Sequence, residues 1–535
     1  MRDGLYQEIH QNMPIACVDI VLKTSDGGFL LVKRDNEPAK NQWWVIGGRV
    51  RKNESLELAV IRKVKEEAGI ELNQLEKVSG GYETIFEEDP FGHQQGTHTI
   101  NTLFVGNISD DDLKKVKTDK LHSEVKVFKY IENTWHPCLQ QYLKDCGFIE
   151  KPGTIFIPVC EPTLSGNELK YVTEAVKTGW ISSAGKFIQQ FEDKFAEYCG
   201  VKYGISCSNG TTALHLAIEA IGISKGDEII TPTFSMAAST NSILYAGAKP
   251  VFIDSELDTW NLDITEIESK ITSKTKAIMI VHTYGHPVDM DKVKEIADKH
   301  NLPIIEDAAE AHGAEYKGKK IGSVGDIACF SFYANKIITT GEGGMVVTNN
   351  AKWAERAKKL RNHFFGEPRF LHQEVGYNYR LTNMQAAIGL AQLEKIDELV
   401  NARRHNAYLY NYLLKNVKGI ILPPEKPWAK NVYWMYGILV NEEEFGMSAA
   451  ELMKELAKRK IETRTFFIGM HKQPAYNKKL EHFPDKTDCP VAEKLEKEGF
   501  YLPSTSHLTL EQIEFITDAI KEVQNHGRNN HRMET

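Results

Sequence analysis

The chain has 535 residues, enough for two to four domains with full cores, and its 41% hydrophobic and 26% charged content is that of an ordinary soluble protein. A net charge of −8 and a pI near 6.2, without a basic block or interleaved aromatic and basic residues, argue against nucleic acid as a partner. There is no apolar run of about 18 residues, so no membrane span is predicted; the start lacks the apolar core of a signal peptide, and eight cysteines without a Cys-x-x-Cys pair read as reduced thiols of a cytoplasmic protein.

In chain order, the first predicted elements are strands over 16–23, 29–33 and 99–105 with one strong helix over 55–68, giving a first domain of residues 1–146. Turn signals and a helix breaker over 144–153 place a linker there. Short β-branched strands over 228–231, 250–254, 277–281 and 302–306 then alternate with helices. That alternation predicts an α/β domain, residues 154–400, with a largely parallel sheet covered on both faces. A smaller α/β subdomain is expected over 401–525, and the polar stretch 526–535 reads as a flexible tail.

Within the first domain, Gly47-Gly48-Arg49 precedes the predicted helix, on which Glu54, Leu58, Arg62 and Glu66 stack at i,i+4 spacing with Glu67 about 100° round from Glu66. Acids clustered beside a Gly-Gly loop can hold Mg²⁺ through carboxylates, a backbone carbonyl and a substrate's own phosphates. On the acids alone, a salt-bridged amphipathic helix is the simpler reading. The whole segment, with Leu30-Leu-Val-Lys-Arg34 and Trp43-Trp-Val-Ile-Gly-Gly-Arg-Val50, resembles the Nudix box in its GDP-mannose mannosyl hydrolase variant. The resemblance covers residues 10–130 and implies a Nudix α/β/α fold. It assigns Mg²⁺ to the Gly47 carbonyl and Glu67, and gives Arg49 the charge on the leaving nucleotide. Asp19 and Arg34 would contact the GDP-sugar, with His122 as general base. Lys63 stands where the ordinary box has a further acid, which the mannosyl hydrolases also lack while using a single Mg²⁺; the departure from their pattern is Leu121, where a side-chain metal ligand is expected. Glu66 or Glu124 would then have to substitute, or hydrolysis would be weak or absent.

In the second part, the apolar run Leu302-Pro-Ile-Ile-Glu-Asp307 ends in an acid where open α/β sheets place ligands. Lys336 follows in Phe330-Ser-Phe-Tyr-Ala-Asn-Lys-Ile-Ile-Thr-Thr-Gly-Glu-Gly-Gly-Met345, whose glycines permit positive φ and close packing. Ile205-Ser-Cys-Ser-Asn-Gly-Thr-Thr-Ala-Leu-His-Leu-Ala-Ile218 reads as strand, turn and amphipathic helix, and such a turn cradles phosphate with its N–H groups and helix dipole. A lysine that bonds an aldehyde, an acid for a pyridine nitrogen and a phosphate cradle are the needs of pyridoxal phosphate (PLP).

From about residue 157 to 525 the chain resembles the DegT/DnrJ/EryC1/StrS sugar aminotransferases of fold type I, and among them the GDP-perosamine synthases. The motifs that carry the resemblance include Ser208-Asn-Gly-Thr-Thr-Ala-Leu-His215, Tyr284-Gly-His-Pro-Val-Asp-Met290, Glu306-Asp-Ala-Ala-Glu-Ala-His-Gly313 and Gly376-Tyr-Asn-Tyr-Arg380. The resemblance implies Lys336 as the residue that bonds PLP, Asp307 at its pyridine nitrogen, Glu310 near its ring hydroxyl, and Gly210, Thr211 and Ser331 on its phosphate. Asn378 would reach the phosphate from the neighbouring subunit, which implies a homodimer with shared active sites. Met236 stands where the family usually stacks an aromatic on the cofactor ring; a thioether also packs on a π face. Arg464 is either a substrate contact or one half of a structural salt bridge, and His312 and His471 are weaker candidates.

The expected activity is transamination of GDP-4-keto-6-deoxymannose to GDP-perosamine with glutamate as donor. The alternative is a dTDP-4-keto-6-deoxyhexose substrate with an inactive Nudix-like module. A C3 dehydratase of the same cofactor class carries histidine at the position of Lys336, which argues against it here.

Overall fold

The computed structural model describes residues 13–72, 74–86, 96–117, 121–150, 156–477 and 488–534. The chain divides into two units, Met1–Ile155 and Phe156–Thr535.

In the first unit, β1 (Ile15–Thr24) lies at the centre of a mixed sheet, parallel to β6 (Thr97–Ile108). It is antiparallel to β2 (Phe29–Arg34) and to β4 (Ile46–Arg49). β3 (Trp43–Trp44) and β7 (His122–Phe128) both pair with β2, and β5 (Leu75–Phe86) closes the far side on β6. Side chains alternate across this sheet as the pleat requires. Val18, Ile20, Leu22, Leu30 and Val32 face helix α1 (Leu56–Ala68), which meets them with Ala59, Val60, Val64 and Ala68. Val21, Phe29 and Leu31 face the other way, onto Trp135, Leu139 and Tyr142 at and along α2 (Pro137–Asp145). The result is a helix on each face of one sheet. α1 is bounded as its sequence dictates: the Ser55 side chain accepts the N–H of Leu58, and Gly69 takes a left-handed φ of 72°.

The expected linker at 144–153 needs correction. Lys144 and Asp145 are in α2, the Ile131 N–H donates to Ile149, and the Phe148 ring lies 4.5 Å from Phe29. The turn residues there bring a last apolar side chain back onto the core, so the first unit extends at least to Glu150. The remainder of the predicted linker, 151–153, falls outside the described residues.

In the second unit, β8 (Tyr203–Cys207), β9 (Glu228–Pro232), β10 (Lys249–Ile253), β11 (Thr275–Val281), β12 (Ile304–Asp307), β13 (Ile327–Ser331) and β14 (Gly344–Thr348) form one sheet in the order β10-β9-β11-β12-β13-β14-β8. Neighbours from β10 to β13 are parallel, and β14 runs antiparallel to both of its partners. Helices α3 (Gly210–Ile221), α4 (Ala237–Tyr245) and α5 (Asn383–Leu393) pack beside it.

The boundary expected at residue 400 falls inside a single helix, α6 (Ile396–Leu414). Its Ile396, Leu399 and Val400 belong to the large core, while Ala407, Tyr410 and Leu414 belong to the small one. One helix thus serves two cores, and no loop marks the change. The small core also holds β15 (Ile420–Ile421), β16 (Tyr436–Val440), β17 (Arg464–Thr465) and β18 (Gly499–Leu502), ordered β15-β16-β18-β17, and α7 (Leu510–Glu534). The backbone of α7 continues through the stretch predicted as a tail; a single glycine, Gly527, costs a helix only about 1 kcal/mol.

Candidate active sites

Three strand ends and one tight turn build the site around Lys336. β13 ends at Ser331, and the chain folds back at once: the Lys336 N–H donates to Tyr333 over 2.9 Å and the Thr340 N–H to Phe332 over 2.9 Å. Gly341 takes φ +80° there, and a Cβ on Gly344 would overlap the Asn209 carbonyl. The glycine run therefore lets the lysine turn press against the 208–212 turn.

The Lys336 ammonium lies 3.5 Å from the centre of the Trp434 ring. Trp434 is fixed in turn by donating its indole N–H to the Asn335 carbonyl at 2.8 Å. Desolvation pulls the Lys336 pKa below the ordinary lysine value, against the attraction of Glu310 and Asp307. Both acids are buried, and desolvation raises the pKa of each. Asp307 ends β12 and accepts hydrogen bonds from the Ser239 hydroxyl at 2.6 Å and the Ala309 N–H at 3.2 Å; Ser235 stands 2.9 Å behind Ser239. Glu310 accepts the Tyr284 N–H at 2.7 Å. Tyr284 has φ 52°, rare and strained for a bulky residue, and that backbone aims its N–H at the carboxylate.

The 208–212 turn caps α3. Asn209 accepts the Thr212 N–H at 2.9 Å and Thr212 accepts the Asn209 N–H at 3.1 Å. This box leaves the first-turn N–H groups of Gly210 and Thr211 without an intrahelical acceptor, at the positive end of the helix. A Cβ on Gly210 would lie 2.7 Å from that of Ser331, so the Ser331 hydroxyl borders the same spot. An anionic phosphate suits it. The neighbouring acid, the buried lysine and the phosphate cradle together fit PLP, and the ring of buried His312 lies against Phe330 and Phe332 in the same layer.

Other predicted residues lie apart from this cluster within the single chain. Met236 is 57% exposed at the start of α4, and Asn378 is exposed, although the adjoining Tyr379 carbonyl accepts the Ser208 N–H at 2.8 Å. Arg464 is exposed and 3.4 Å from Glu462, a long contact. His471 is tied to Thr233 at 2.6 Å and faces Glu493 at 3.3 Å, which is a structural arrangement. Sequence reasoning missed Ser239, the Tyr284 N–H and Trp434. Tyr284 lies in a motif singled out by its residues, but nothing local marks Ser239 or Trp434 as neighbours of Asp307 and Lys336.

In the first unit, β1 and β4 set Asp19 opposite Gly47, so closely that a Cβ on Gly47 would overlap the Asp19 carboxylate. Asp19 is buried, accepts the Asn101 amide, and is pushed up to about 6 by desolvation. Arg34 stands within reach of Glu67 and Asp19, and its Nε is buried without a partner. Arg49 is exposed at the end of β4 and its carbonyl accepts from Arg62 at 3.0 Å. Buried His122 has Nε2 3.9 Å from Glu67.

These residues do not suit Mg²⁺. Glu67, the acid to which the resemblance assigns the metal, is closed in an ion pair with Lys63 one helical turn away, and the Gly47 N–H adds a contact at 3.4 Å. The substitutes are also unfit: Glu66 is shared by Arg51 and Arg62 at 3.0 Å each, and Glu124 is exposed on β7. Leu121 offers no ligand atom in its side chain. Among the described residues no three His, Cys, Asp or Glu side chains gather as a metal site. Glu54 serves the loop instead, held by Arg62 at 2.6 and 2.8 Å, and that guanidinium lowers its carboxyl to about 2.

A family model of the DegT/DnrJ/EryC1/StrS aminotransferases matches residues 162–521, and one of the NUDIX domain matches residues 13–145. GDP-perosamine synthase of Escherichia coli O157:H7 is 46% identical over 369 residues, 69% of this chain and 98% of that protein. GDP-perosamine synthase of Caulobacter vibrioides is 46% identical over 371 residues, with the same coverage. Among solved structures, DesV of S. venezuelae superposes with a TM-score of 0.63 at 34% identity, covering 67% of this chain and 94% of its own. PseC of Helicobacter pylori, an aminotransferase of pseudoaminic acid biosynthesis, gives 0.65 at 29% identity, covering 69% and 100%.

Proposed function

Because the chain belongs to the DegT/DnrJ/EryC1/StrS aminotransferase family and carries a NUDIX domain before it, we propose that it moves an amino group from glutamate to C4 of GDP-4-keto-6-deoxymannose, giving GDP-perosamine. The observation that carries this reading is Lys336, desolvated against Trp434 between two buried acids. The two GDP-perosamine synthases, 46% identical over nearly their whole length, support the substrate.

Lys336, Asp307 and Glu310 would hold the ring end of PLP, and Gly210, Thr211 and Ser331 its phosphate. When bound, PLP supplies an electron sink for the charge that develops when a proton leaves carbon. Lys336 carries that proton: a lowered pKa leaves part of its population neutral and able to accept. Asp307, steadied by Ser239, keeps a negative charge facing the ring nitrogen. Glu310 is held off the lysine by the Tyr284 N–H. Asn378 of the partner subunit would complete the phosphate site, so the working form is a homodimer, and exposed Met236 would close on the cofactor ring. Arg464 would meet the substrate's phosphates or the donor's carboxylate. In the first unit, Asp19, Arg34 and Arg49 would bind a GDP-sugar, and His122 would support at most slow hydrolysis.

The test is to incubate the purified protein with glutamate and GDP- or dTDP-4-keto-6-deoxyhexoses and follow product by mass spectrometry. A one-amino-group product from the GDP sugar is expected. Turnover of the dTDP sugar alone would replace the nucleotide assignment, and no turnover of either would reject the reading.

A further inference from the structure

In the first unit's site a lysine occupies the acid that a divalent cation would need. Lys63, Arg34 and Arg49 face Glu67 and Asp19, and Glu37 also acts on Arg34; Glu66, 3.8 Å from Lys63, is already shared by Arg51 and Arg62. Lys63 is only 15% exposed, and its stem lies over Gly48, where a Cβ would stand 2.8 Å from Lys63 Cε. The ammonium is thus pinned between the Gly47-Gly48 loop and Glu67, the acid that also acts on Arg34, whose Nε lacks a partner. A Mg²⁺ site needs oxygen ligands and a net negative lining. This one presents a fixed cation and an unfilled donor, which suit an anion.

We propose that Lys63 takes the place of the metal ion: its ammonium, with Arg34, holds the diphosphate of a nucleotide sugar in the first unit, and binding there requires no divalent cation. The proposal rests on the reading of this unit as a nucleotide-sugar binder. A tethered cation needs no ion recruited with the substrate. It also has no Lewis-acid strength comparable to Mg²⁺ and generates no metal-bound hydroxide, so the site would hold its ligand rather than cleave it.

The experiment is calorimetric titration of the full chain with GDP-mannose, once in EDTA and once in excess Mg²⁺. The proteins are wild type, Lys63→Met, Arg34→Gln and the double variant Lys63→Met/Glu67→Gln, which leaves no unpaired buried charge. Wild type should take up one equivalent per chain that Lys63→Met and the double variant bind at least roughly tenfold more weakly, the loss expected for one charge-assisted contact. The difference should be equal in both buffers, with thermal midpoints showing that the double variant is folded. An extra equivalent that appears only with Mg²⁺ overturns metal independence while keeping the unit as a nucleotide-sugar binder. An equivalent lost in Arg34→Gln but kept in both Lys63 variants overturns the role of Lys63. No difference between any variant and wild type in either buffer overturns the underlying reading as well.

Discussion

The two sites each bring a lysine to carboxylates, and they end in opposite states. In the second unit, Glu310 is engaged by a backbone N–H and Asp307 by a serine hydroxyl, so neither closes on Lys336, whose ammonium faces a π surface. In the first unit, Lys63 and Glu67 close directly on one another. A lysine desolvated with its acids occupied elsewhere loses its proton more readily and becomes a nucleophile and base. A lysine paired with one carboxylate stays protonated, a fixed charge with N–H donors to spare. What differs is which hydrogen bonds the acids have already made, and that is set by the backbone around them.

The largest expected effect breaks the first of these states. Lys336→Ala should lower transamination by roughly 10³-fold or more, since both the covalent partner and the proton carrier are lost. Wild-type protein should be yellow and bleached by borohydride, with the reduced adduct on the Lys336 peptide. An adduct on another lysine would refute the assignment.

Next in size is the link that keeps Asp307 occupied. Ser239→Ala removes a 2.6 Å donor from a buried carboxylate whose pKa desolvation already raises, so it rises further and the acid is neutral more of the time. Losing a hydrogen bond to a charged group costs about 1.5–3 kcal/mol, which corresponds to roughly a tenfold or greater fall in cofactor affinity or rate. The readout is PLP retained on dialysis together with kcat. Unchanged retention and rate would show that Ala309 alone holds the carboxylate.

The features of these sites divide by how local they are. The acid at the end of β12, the capped 208–212 turn and the lysine followed by glycines are contiguous patterns, each with its own backbone reason, and they could be read without a structure. Ser239 and Trp434 could not, nor could the N–H role of Tyr284 within its motif: they reach the site from separate elements, and only the sheet order and the return of the small core bring them there. The i,i+4 spacing of Lys63 and Glu67 is visible in the sequence, yet the box pattern assigns Glu67 to a metal, and only burial of the pair decides between the two. Boundaries were harder for the same reason. The stretch 144–153 reads as a linker by turn residues, but Phe148 packs on Phe29, and α6 passes residue 400 unbroken because its two halves serve different cores.

A third prediction concerns stability of the first unit. Asp19 is raised from an ordinary 3.8 to about 6 when folded, chiefly by desolvation. The folded state therefore prefers the protonated acid. This contribution is fully present below about pH 4 and is lost as pH rises through about 6. At neutral pH the buried charge is a liability of about 1–3 kcal/mol. Asp19→Asn, which keeps a hydrogen-bonding side chain beside Asn101, should stabilise the first unit at pH 7 and flatten its stability between pH 4 and 6. Chemical denaturation across that range, followed by a first-unit probe, measures both. A variant less stable at pH 7 with unchanged slope would mean that Arg34 compensates the charge fully.

The smallest effect separates the two readings of Arg464. Its contact with Glu462 is 3.4 Å long and half exposed, and an exposed pair of that kind contributes about 0–1 kcal/mol. Glu462 also has a better partner: its other oxygen accepts the Val159 N–H at 2.8 Å, a bond that holds the start of the second unit near Ile461. Removing the guanidinium therefore leaves Glu462 satisfied, and Arg464→Gln should barely move the thermal midpoint. If the guanidinium instead meets a phosphate or carboxylate of a bound substrate, KM should rise several-fold while kcat changes little, because an interaction made equally in the ground and transition states appears in KM alone. Running the assay at fixed glutamate and varied sugar, then the reverse, shows which substrate it contacts. A lowered midpoint with both KM values unchanged would make Arg464 a structural residue and remove it from the site.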